Sequence, residues 1–501
     1  MRVLCLGNNT EDTDVKTRAL SQKAGQPCHG LLSSIESPLD SLSYQHRGYY
    51  HSSIYDLEFG QLVTLMGEFD RVIMLDQPIE EWSHPDAYYR TLQAISKTST
   101  PVEFLNPTGQ DTFNFFSRLV NENKSFCIFP FIELLVNYGH TTVCCRSTTP
   151  ITNINDLEDF QKDENYNKIR KKMIKGEMLP EHCSQCYNLE KRGIISARQQ
   201  ETVEWAHRLN LKNINDLQKI KKPSYYEIRA SNKCNLLCRT CNPENSHLIE
   251  REYRTLEIVP RNKTIRQKYT NGFEIIDFDS AKKIYIAGGE PTTMQEFYKF
   301  LDDCIEKNKT DIEILVNTNG TNITPKFKRL LKHFSNFQFI FSIDGYAQLN
   351  DYIRWPSKWN KIIDNWKYLK DHHHNVIINT TVSIYNISKL HSLYEFIDRE
   401  FPNTLTHCSL LMSPKIMSPL HFPEPSLALT SLRSITKTQC YHNDPLFADF
   451  IDGLISQFEN NHRSVDLAEF FAFNDKLDAS RSISLKDYVA ELDKYRNQSY
   501  T

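Results

Sequence analysis

Several features that would assign a 501-residue chain to a class at once are missing here. There is no excess of positive charge: 59 Lys and Arg stand against 62 Asp and Glu, a formal balance of −3. Non-specific nucleic-acid binders draw on a basic surplus, so the composition argues against that class. No apolar run approaches the roughly 20 residues that cross a bilayer. The best candidate, Phe126 to Val136, is short and carries Glu133. The opening Met1-Arg2-Val3-Leu4-Cys5-Leu6-Gly7-Asn8 turns polar too soon for the apolar core of a signal peptide. The expectation is a cytoplasmic protein with no membrane role. Internal repeats and low-complexity tracts are also absent, which leaves an ordinary globular composition of 40% hydrophobic and 24% charged residues. At roughly 100–200 residues per domain, the length implies two to four domains.

Cysteine is scarce as well: 13 in all, an odd number and far too few for a disulfide-stapled scaffold. Their distribution is uneven, however. Cys234, Cys238 and Cys241 form C-x3-C-x2-C, and Cys183 and Cys186 form C-x2-C, with Cys127, Cys144 and Cys145 upstream. Clustered cysteines in a chain without an export signal point to metal or redox chemistry. Cys5, Cys28, Cys304, Cys408 and Cys440 are scattered and read as small apolar residues.

Four zones separate along the chain. Residues 1–120 alternate strand-like runs (2–6, 71–75, 102–105) with helical stretches near 14–23 and 85–96, the pattern of a small α/β unit with parallel strands. Gly7-Asn8-Asn9 lacks the glycine pattern of a nucleotide-binding turn and reads as a plain turn. Residues 121–221 hold the C-x2-C pair between helical stretches at 155–175 and 195–217. Residues 222–412 carry six strand-like runs, at 225–229, 283–286, 312–316, 337–341, 376–382 and 407–411. Helical segments at 295–308, 324–333, 359–369 and 387–399 lie between them. Six β/α units in series imply parallel strands with crossover helices, as an open sheet or a partial barrel whose active site sits at the C-terminal strand ends. The fold class is therefore α/β. Residues 413–501 open with Pro414, Pro419, Pro423 and Pro425 and end in helices.

The triple-cysteine segment follows directly on the first of the six strands, where an active-site loop belongs. Three thiolates at this spacing suit an iron–sulfur cluster. A four-iron cube has four corners, so three cysteines leave one iron open. With His247 the same cysteines also make a Cys3His zinc set, which stays open as an alternative.

The later strands add Ala287-Gly288-Gly289-Glu290-Pro291, Asn317-Thr318-Asn319-Gly320, Ser342-Ile343-Asp344-Gly345, and Thr381, Ser383 and Asn386. In this combination residues 222–412 resemble the radical S-adenosylmethionine (SAM) superfamily, a partial (β/α)6 barrel. The resemblance implies a [4Fe–4S] cluster on Cys234, Cys238 and Cys241 whose open iron chelates SAM. Reductive cleavage then gives a 5′-deoxyadenosyl radical that abstracts hydrogen from substrate. It further implies that Gly288, Gly289, Glu290 and Pro291 serve the methionine amino group. Asn317, Asn319, Ser342 and Asp344 would meet the ribose and carboxylate, and Thr381 and Ser383 the adenine. The family carries an aromatic residue just before its third cysteine; here it is Thr240, so that contact is not carried over.

Cys127-x11-Gly139-x4-Cys144 with Cys183-x2-Cys186 resembles the twitch and SPASM domains, which bind auxiliary [4Fe–4S] clusters. Residues 187–233 lack the further cysteines of a full SPASM domain, so the count fits the single-cluster twitch type. Such domains usually follow the barrel, whereas this region precedes it. Cys145 competes with Cys144, and only the x4 spacing favours the latter. A zinc ribbon is the alternative, although its first half would have to be C-x16-C.

The resemblance thus implies two [4Fe–4S] clusters, SAM, an external flavodoxin- or ferredoxin-like electron donor, and a peptide or small-metabolite substrate. RNA modification and a non-enzymatic zinc-stabilised binding protein remain the alternatives. Asp371-His372-His373-His374-Asn375 reads as a polar loop. Asp351, Arg354, Trp355 and Trp359 resemble a D-x-I-R…W segment of the family, with Arg354 suited to a carboxylate.

Overall fold

A computed structural model describes the strands β1 (Val3–Gly7), β2 (Cys28–Leu32), β3 (Arg71–Met74) and β4 (Val102–Phe104). It also describes residues 107–496 apart from 138, 148, 192–195, 261–271, 412 and 461–464. Two compact units result: Met1–Glu133 with Thr142–Ile151 and Glu158–Lys222, and Leu134–Thr141 with Thr152–Leu157 and Pro223–Thr501.

In the first unit β1 to β4 pair in the order β2-β1-β3-β4, every neighbour parallel. Three of these strands coincide with the apolar runs of the sequence, and β2 is an addition. The helical stretches expected at 14–23 and 85–96 lie outside the described residues, as do Asn8 and Asn9. Helices α1 (Pro107–Glu122), α2 (Glu164–Lys175), α3 (Pro180–Lys191) and α4 (Ala197–Arg208) complete the unit. Their ends follow local chemistry. Asp163 caps α2 by accepting from the Tyr166 N–H, and Gly176 closes it at φ 78°. Ser196 and Gln199 form a capping box on α4. Thr112 of α1 donates to the Leu211 carbonyl at 2.7 Å, just past the end of α4.

The second unit is built on strands β5 (Glu133–Asn137), β6 (His140–Thr142), β7 (Tyr225–Arg229), β8 (Lys283–Ala287), β9 (Glu313–Thr318), β10 (Phe337–Ser342), β11 (Asn375–Val382) and β12 (Thr406–Leu410). They make one sheet in the order β12-β11-β10-β9-β8-β7-β5-β6, with β7 to β12 parallel throughout. Only two residues separate β5 from β6, too few for a crossover, so this pair is a hairpin added to the β7 edge. Helices α5 (His247–Thr255), α6 (Gln295–Glu306), α7 (Pro325–Leu331), α8 (Gln348–Ile353), α9 (Trp359–Asp371) and α10 (Leu390–Glu400) make the crossovers. Beyond β12 come α11 (Pro425–Ile435), α12 (Pro445–Asn460) and α13 (Ala468–Arg481). Among the described residues no helix is long and apolar enough to cross a membrane.

The two faces of this sheet differ. One is apolar and packs on the helices, with Ile284, Ile286, Ile314, Val316, Phe339 and Phe341 fully buried. Phe327 of α7 meets Phe297 of α6 and Phe339 edge-on at 5.6 and 6.0 Å. The other face carries Glu227, Arg229, Lys283, Tyr285, Glu313, Asn317, Ser342, Asn379 and Thr381 in register across β7 to β11. A parallel sheet covered on both faces reads as continuous hydrophobic strands; this one carries a polar face that ion pairs hold together. Lys283 meets Glu313 at 3.0 Å and Arg229 meets Glu227 at 2.9 Å.

Candidate active site

The residues expected at the site all fall at the C-terminal ends of β7 to β11. Cys234, Cys238 and Cys241 lie on the segment between β7 and α5. Gly288 to Pro291 follow β8, Asn317 and Asn319 sit at the end of β9, Ser342 and Asp344 at that of β10, and Thr381 and Ser383 at that of β11.

The cysteine segment is tied down along its length. Leu237 and Arg239 donate their N–H groups to the Trp355 and Ile353 carbonyls at 2.6 and 2.7 Å. Glu290 donates its N–H to the Lys233 carbonyl at 2.7 Å, joining the glycine turn to the residue before Cys234. Gly289, at φ 54°, lies so close that a Cβ there would stand 2.1 Å from the same carbonyl oxygen. Glycine is required at that position by contact as well as by backbone angle. Asn235 bridges to β9, donating to Thr321 Oγ1 at 2.9 Å and accepting from the Asn319 side chain at 2.8 Å. The Cys234 N–H points to Nδ1 of His247 at 3.2 Å.

The site residues divide into two sets by accessibility. Cys234, Cys241, Gly288, Gly289, Asn317, Ser342 and Thr381 are half-buried, with Ser342 donating to Asn317 at 3.1 Å. Glu290, Asn319, Asp344 and Ser383 are buried and already engaged. The Glu290 carboxylate accepts from the Thr292 N–H at 3.1 Å, the Thr292 hydroxyl at 2.6 Å, the Thr318 hydroxyl at 2.7 Å and the Asn319 N–H at 2.7 Å. Burial nevertheless pushes its pKa up, against those four donors. Asp344 accepts from the Thr381 N–H at 2.8 Å and pairs with Arg354 at 2.8 Å. Arg354 in turn brings Nη1 to 3.9 Å from the Cys238 sulfur. Asn386 ties these ends together, donating to the Asp344 and Thr381 carbonyls and accepting from the Ser383 N–H. The second set therefore braces the strand ends, and the first set stays partly accessible.

The three thiols fit an electron-rich metal cluster. Burial raises the pKa of each, Cys241 to about 12, and the neighbouring thiols raise those of Cys234 and Cys241 further. Arg354 acts in the opposite direction on Cys238 and Cys241. Thiols that resist ionising together lose their protons readily only to a cation that takes the protons' place.

In the first unit Cys127, Cys144, Cys145, Cys183 and Cys186 all line one pocket, with His182 and Arg198 beside them. Cys183 and Cys186 stand one turn apart on α3. Cys127, Cys144 and Cys186 are buried, Cys183 half-buried and Cys145 exposed. Burial raises Cys127 and Cys144 well above an ordinary thiol and Cys183 to about 11. Arg198 holds this pocket together, with two 2.8 Å contacts to Glu190 and one at 2.7 Å to the carbonyl of Phe126, next to Cys127. Thr149 donates to the Glu181 carbonyl at 2.7 Å, fastening the Cys144 segment to α3. Among the described residues no three His, Cys, Asp or Glu side chains stand close enough to grip one metal ion.

Residues 228–397 match the Radical SAM superfamily. This segment, about a third of the chain, resembles a radical SAM catalytic domain and marks the protein as an enzyme. The match covers β8 to β11 and the last two residues of β7, together with the three cysteines and every strand end described above, and it stops before β12 and α13. No curated protein matches the chain. Among solved structures it is similar to Streptococcus suis SuiB bound to S-adenosylmethionine, at 16% identity, 59% of this chain, 60% of that one and TM-score 0.28. It is also similar to anSMEcpe with bound AdoMet and a Cp18Cys peptide, at 18% identity, 46% of this chain, 61% of that one and TM-score 0.29. SuiB bound to the precursor peptide SuiA gives 16% identity, 62% and 64% coverage and TM-score 0.28. The chain thus spans about three-fifths of these proteins' length.

Sequence reasoning missed the braces. Asn235, Arg239 and Thr318 sit unmarked inside the motifs, whereas Thr321, Asn474 and Asp478 lie outside them and only the fold brings these three to the site. Cys408 pairs on the sheet with Thr380 and meets the Tyr394 hydroxyl at 2.8 Å, which puts it on the helix-covered face, and Cys304 is fully buried in α6. His372 and His374 bond backbone carbonyls of Tyr368 and Phe337 at 2.8 and 3.4 Å in a loop.

Proposed function

We propose that this enzyme reductively cleaves SAM and uses the resulting 5′-deoxyadenosyl radical to abstract hydrogen from a peptide or, second in rank, a small metabolite. Cys234, Cys238 and Cys241 would hold a [4Fe–4S] cluster, which when reduced supplies the electron for that cleavage. The observation that carries the reading is the bracing of the thiol segment. It is hydrogen-bonded to the ends of β8 and β9, and Arg354 links it to β10, so the thiols and the accessible polar residues of those ends share one rigid mouth.

Each residue has a defined task in this reading. The carbonyls of Gly288 and Gly289 would receive the methionine ammonium together with Glu290, whose Oε2 accepts only from the Asn319 N–H. Asn317, Ser342 and Thr381 offer hydrogen bonds to the nucleoside. Asp344 and Ser383 act from behind by holding Arg354 and Asn386. The polar face of β7 to β11 then accommodates the substrate.

The pocket lined by the second cysteine group suits an auxiliary [4Fe–4S] cluster on Cys127, Cys144, Cys183 and Cys186. Burial favours Cys144 over the exposed Cys145. The resemblance of this group to twitch-type domains ranks a peptide first among substrates. We place the enzyme in the cytoplasm, served by an external flavodoxin- or ferredoxin-like donor. Anaerobic reconstitution followed by iron and sulfide counts tests both sites. About eight irons are expected, falling to about four in Cys238→Ala and, separately, in Cys186→Ala. Stoichiometric zinc in place of iron would overturn the reading.

A further inference from the structure

The best-satisfied polar cluster of the second unit lies behind the cysteine segment. Arg239, between Cys238 and Cys241, is fully buried. Its Nη1 donates to Asn474 Oδ1 at 2.8 Å, its Nη2 pairs with Asp478, and its Nε donates to the Tyr352 carbonyl at 3.1 Å. The guanidinium lies 3.8 Å from the centre of the Tyr352 ring. Tyr352 and Tyr385 hold the acceptors in place, donating to Asp478 and to Asn474, each at 3.0 Å. Asn474 also donates to Asp478 at 2.9 Å, and the Leu485 N–H reaches Asp478 at 2.7 Å.

Both acceptors belong to α13, far along the chain from the cysteines and outside the matched segment 228–397. One turn further on, Arg481 of the same helix is buried and pairs with Glu252 of α5 at 2.6 Å. Its Nη1 has no hydrogen-bond partner. A helix that only filled the core would bury Leu477 and Phe470, as α13 does, without a charged grip on the residue next to a cluster ligand.

We propose that α13 is part of the catalytic centre, with Asp478 and Asn474 acting as positioning residues that set the Cys238–Cys241 segment through Arg239. The inference rests on the assignment of Cys234, Cys238 and Cys241 as cluster ligands. Removing the grip lets Arg239 and the segment relax together, so the cluster forms but presents its open iron to SAM in the wrong place.

The test compares wild type with Asp478→Asn, with the double variant Arg239→Met/Asp478→Leu, and with Tyr385→Phe. The double variant leaves no buried charge unpaired, and Tyr385→Phe, which loses a single hydroxyl, tests position at a smaller cost in stability. The readouts are unfolding of the metal-free protein, iron per chain, and the electron paramagnetic resonance spectrum of the reduced cluster with increasing SAM. The double variant leaves the Tyr352 hydroxyl, the Asn474 amide and the Leu485 N–H without their Asp478 acceptor, so it is expected to unfold earlier than wild type. Assayed where it is folded, it is expected to keep its iron while half-saturating SAM rises at least tenfold. Tyr385→Phe loses one hydroxyl and is expected to raise it about threefold. A wild-type SAM response in whichever of these variants folds overturns the proposal. A wild-type protein with no SAM-responsive cluster signal would instead overturn the functional reading beneath it.

Discussion

Replacing Gly289 by alanine tests how the site is built. The new Cβ would stand 2.1 Å from the Lys233 carbonyl oxygen, 2.8 Å from its carbon and 2.9 Å from the Asn232 carbonyl carbon. All three are backbone atoms, so no flexible side chain can swing away. Holding a non-glycine residue at φ 54° costs roughly 1–2 kcal/mol. Moving the Lys233 carbonyl also strains the 2.7 Å bond from the Glu290 N–H, worth about 1 kcal/mol. The sum is roughly 2–3 kcal/mol. Gly453 is the matched control, since it sits inside α12 with nothing within 4 Å of a built Cβ. Gly453→Ala should stabilise by about 0.5–1 kcal/mol. Tryptophan fluorescence in urea reports the difference, because Trp355, Trp359 and Trp366 all lie in the second unit. The same preparations are scored for iron after anaerobic reconstitution, where Gly289→Ala should lose cluster at the Cys234 site. If Gly289→Ala unfolds with wild type and keeps its iron, the close packing of turn and cysteine segment is refuted.

Three further outcomes follow from the same geometry. Cys144→Ser should remove about four irons and Cys145→Ser none; equal losses would mean that the exposed thiol also serves. Burial raises the Glu290 pKa, so the folded state holds its proton more tightly than the unfolded state. Stability of the metal-free protein should therefore fall as pH rises from the ordinary glutamate range through the raised value, and urea midpoints of Glu290→Gln should lack that slope. The N-terminal α/β unit is proposed to recruit the substrate, so deleting residues 1–106, which stops short of α1 and its contact with Leu211, should abolish substrate turnover while sparing reductive SAM cleavage. Unchanged turnover would remove the N-terminal sheet from substrate recruitment.

The sequence and the structure agree best where periodicity is strong. The runs 225–229, 283–286 and 337–341 become β7, β8 and β10 within one residue, because β-branched and aromatic residues bounded by turn formers leave little choice. Phe126–Val136 shows the limit of that signal. The structure splits it into a short helix, Phe129–Ile132, and β5, which adds a hairpin to the sheet edge. An apolar run alone does not separate helix from strand. The cysteine motifs and the glycine turn were legible because their spacing is local. The polarity of the strand ends was legible too, but not how deeply each residue is buried. Asp344, Glu290 and Asn319 read as ligand contacts in one dimension, and in three they are buried and also hydrogen-bonded within the protein. Arg239 and Asp478 are legible only in the fold, since nothing local links residues so far apart.

The central claim is that the Cys234, Cys238 and Cys241 segment, set against the ends of β8 to β11, makes a centre that cleaves SAM. The most direct measurement is 5′-deoxyadenosine released by the anaerobically reconstituted, reduced enzyme with SAM, beside Cys234→Ala, Cys238→Ala and Cys241→Ala. The account predicts product from wild type and none above background from any of the three. Product that persists in those variants, or a wild type that retains its clusters and releases none, would contradict it.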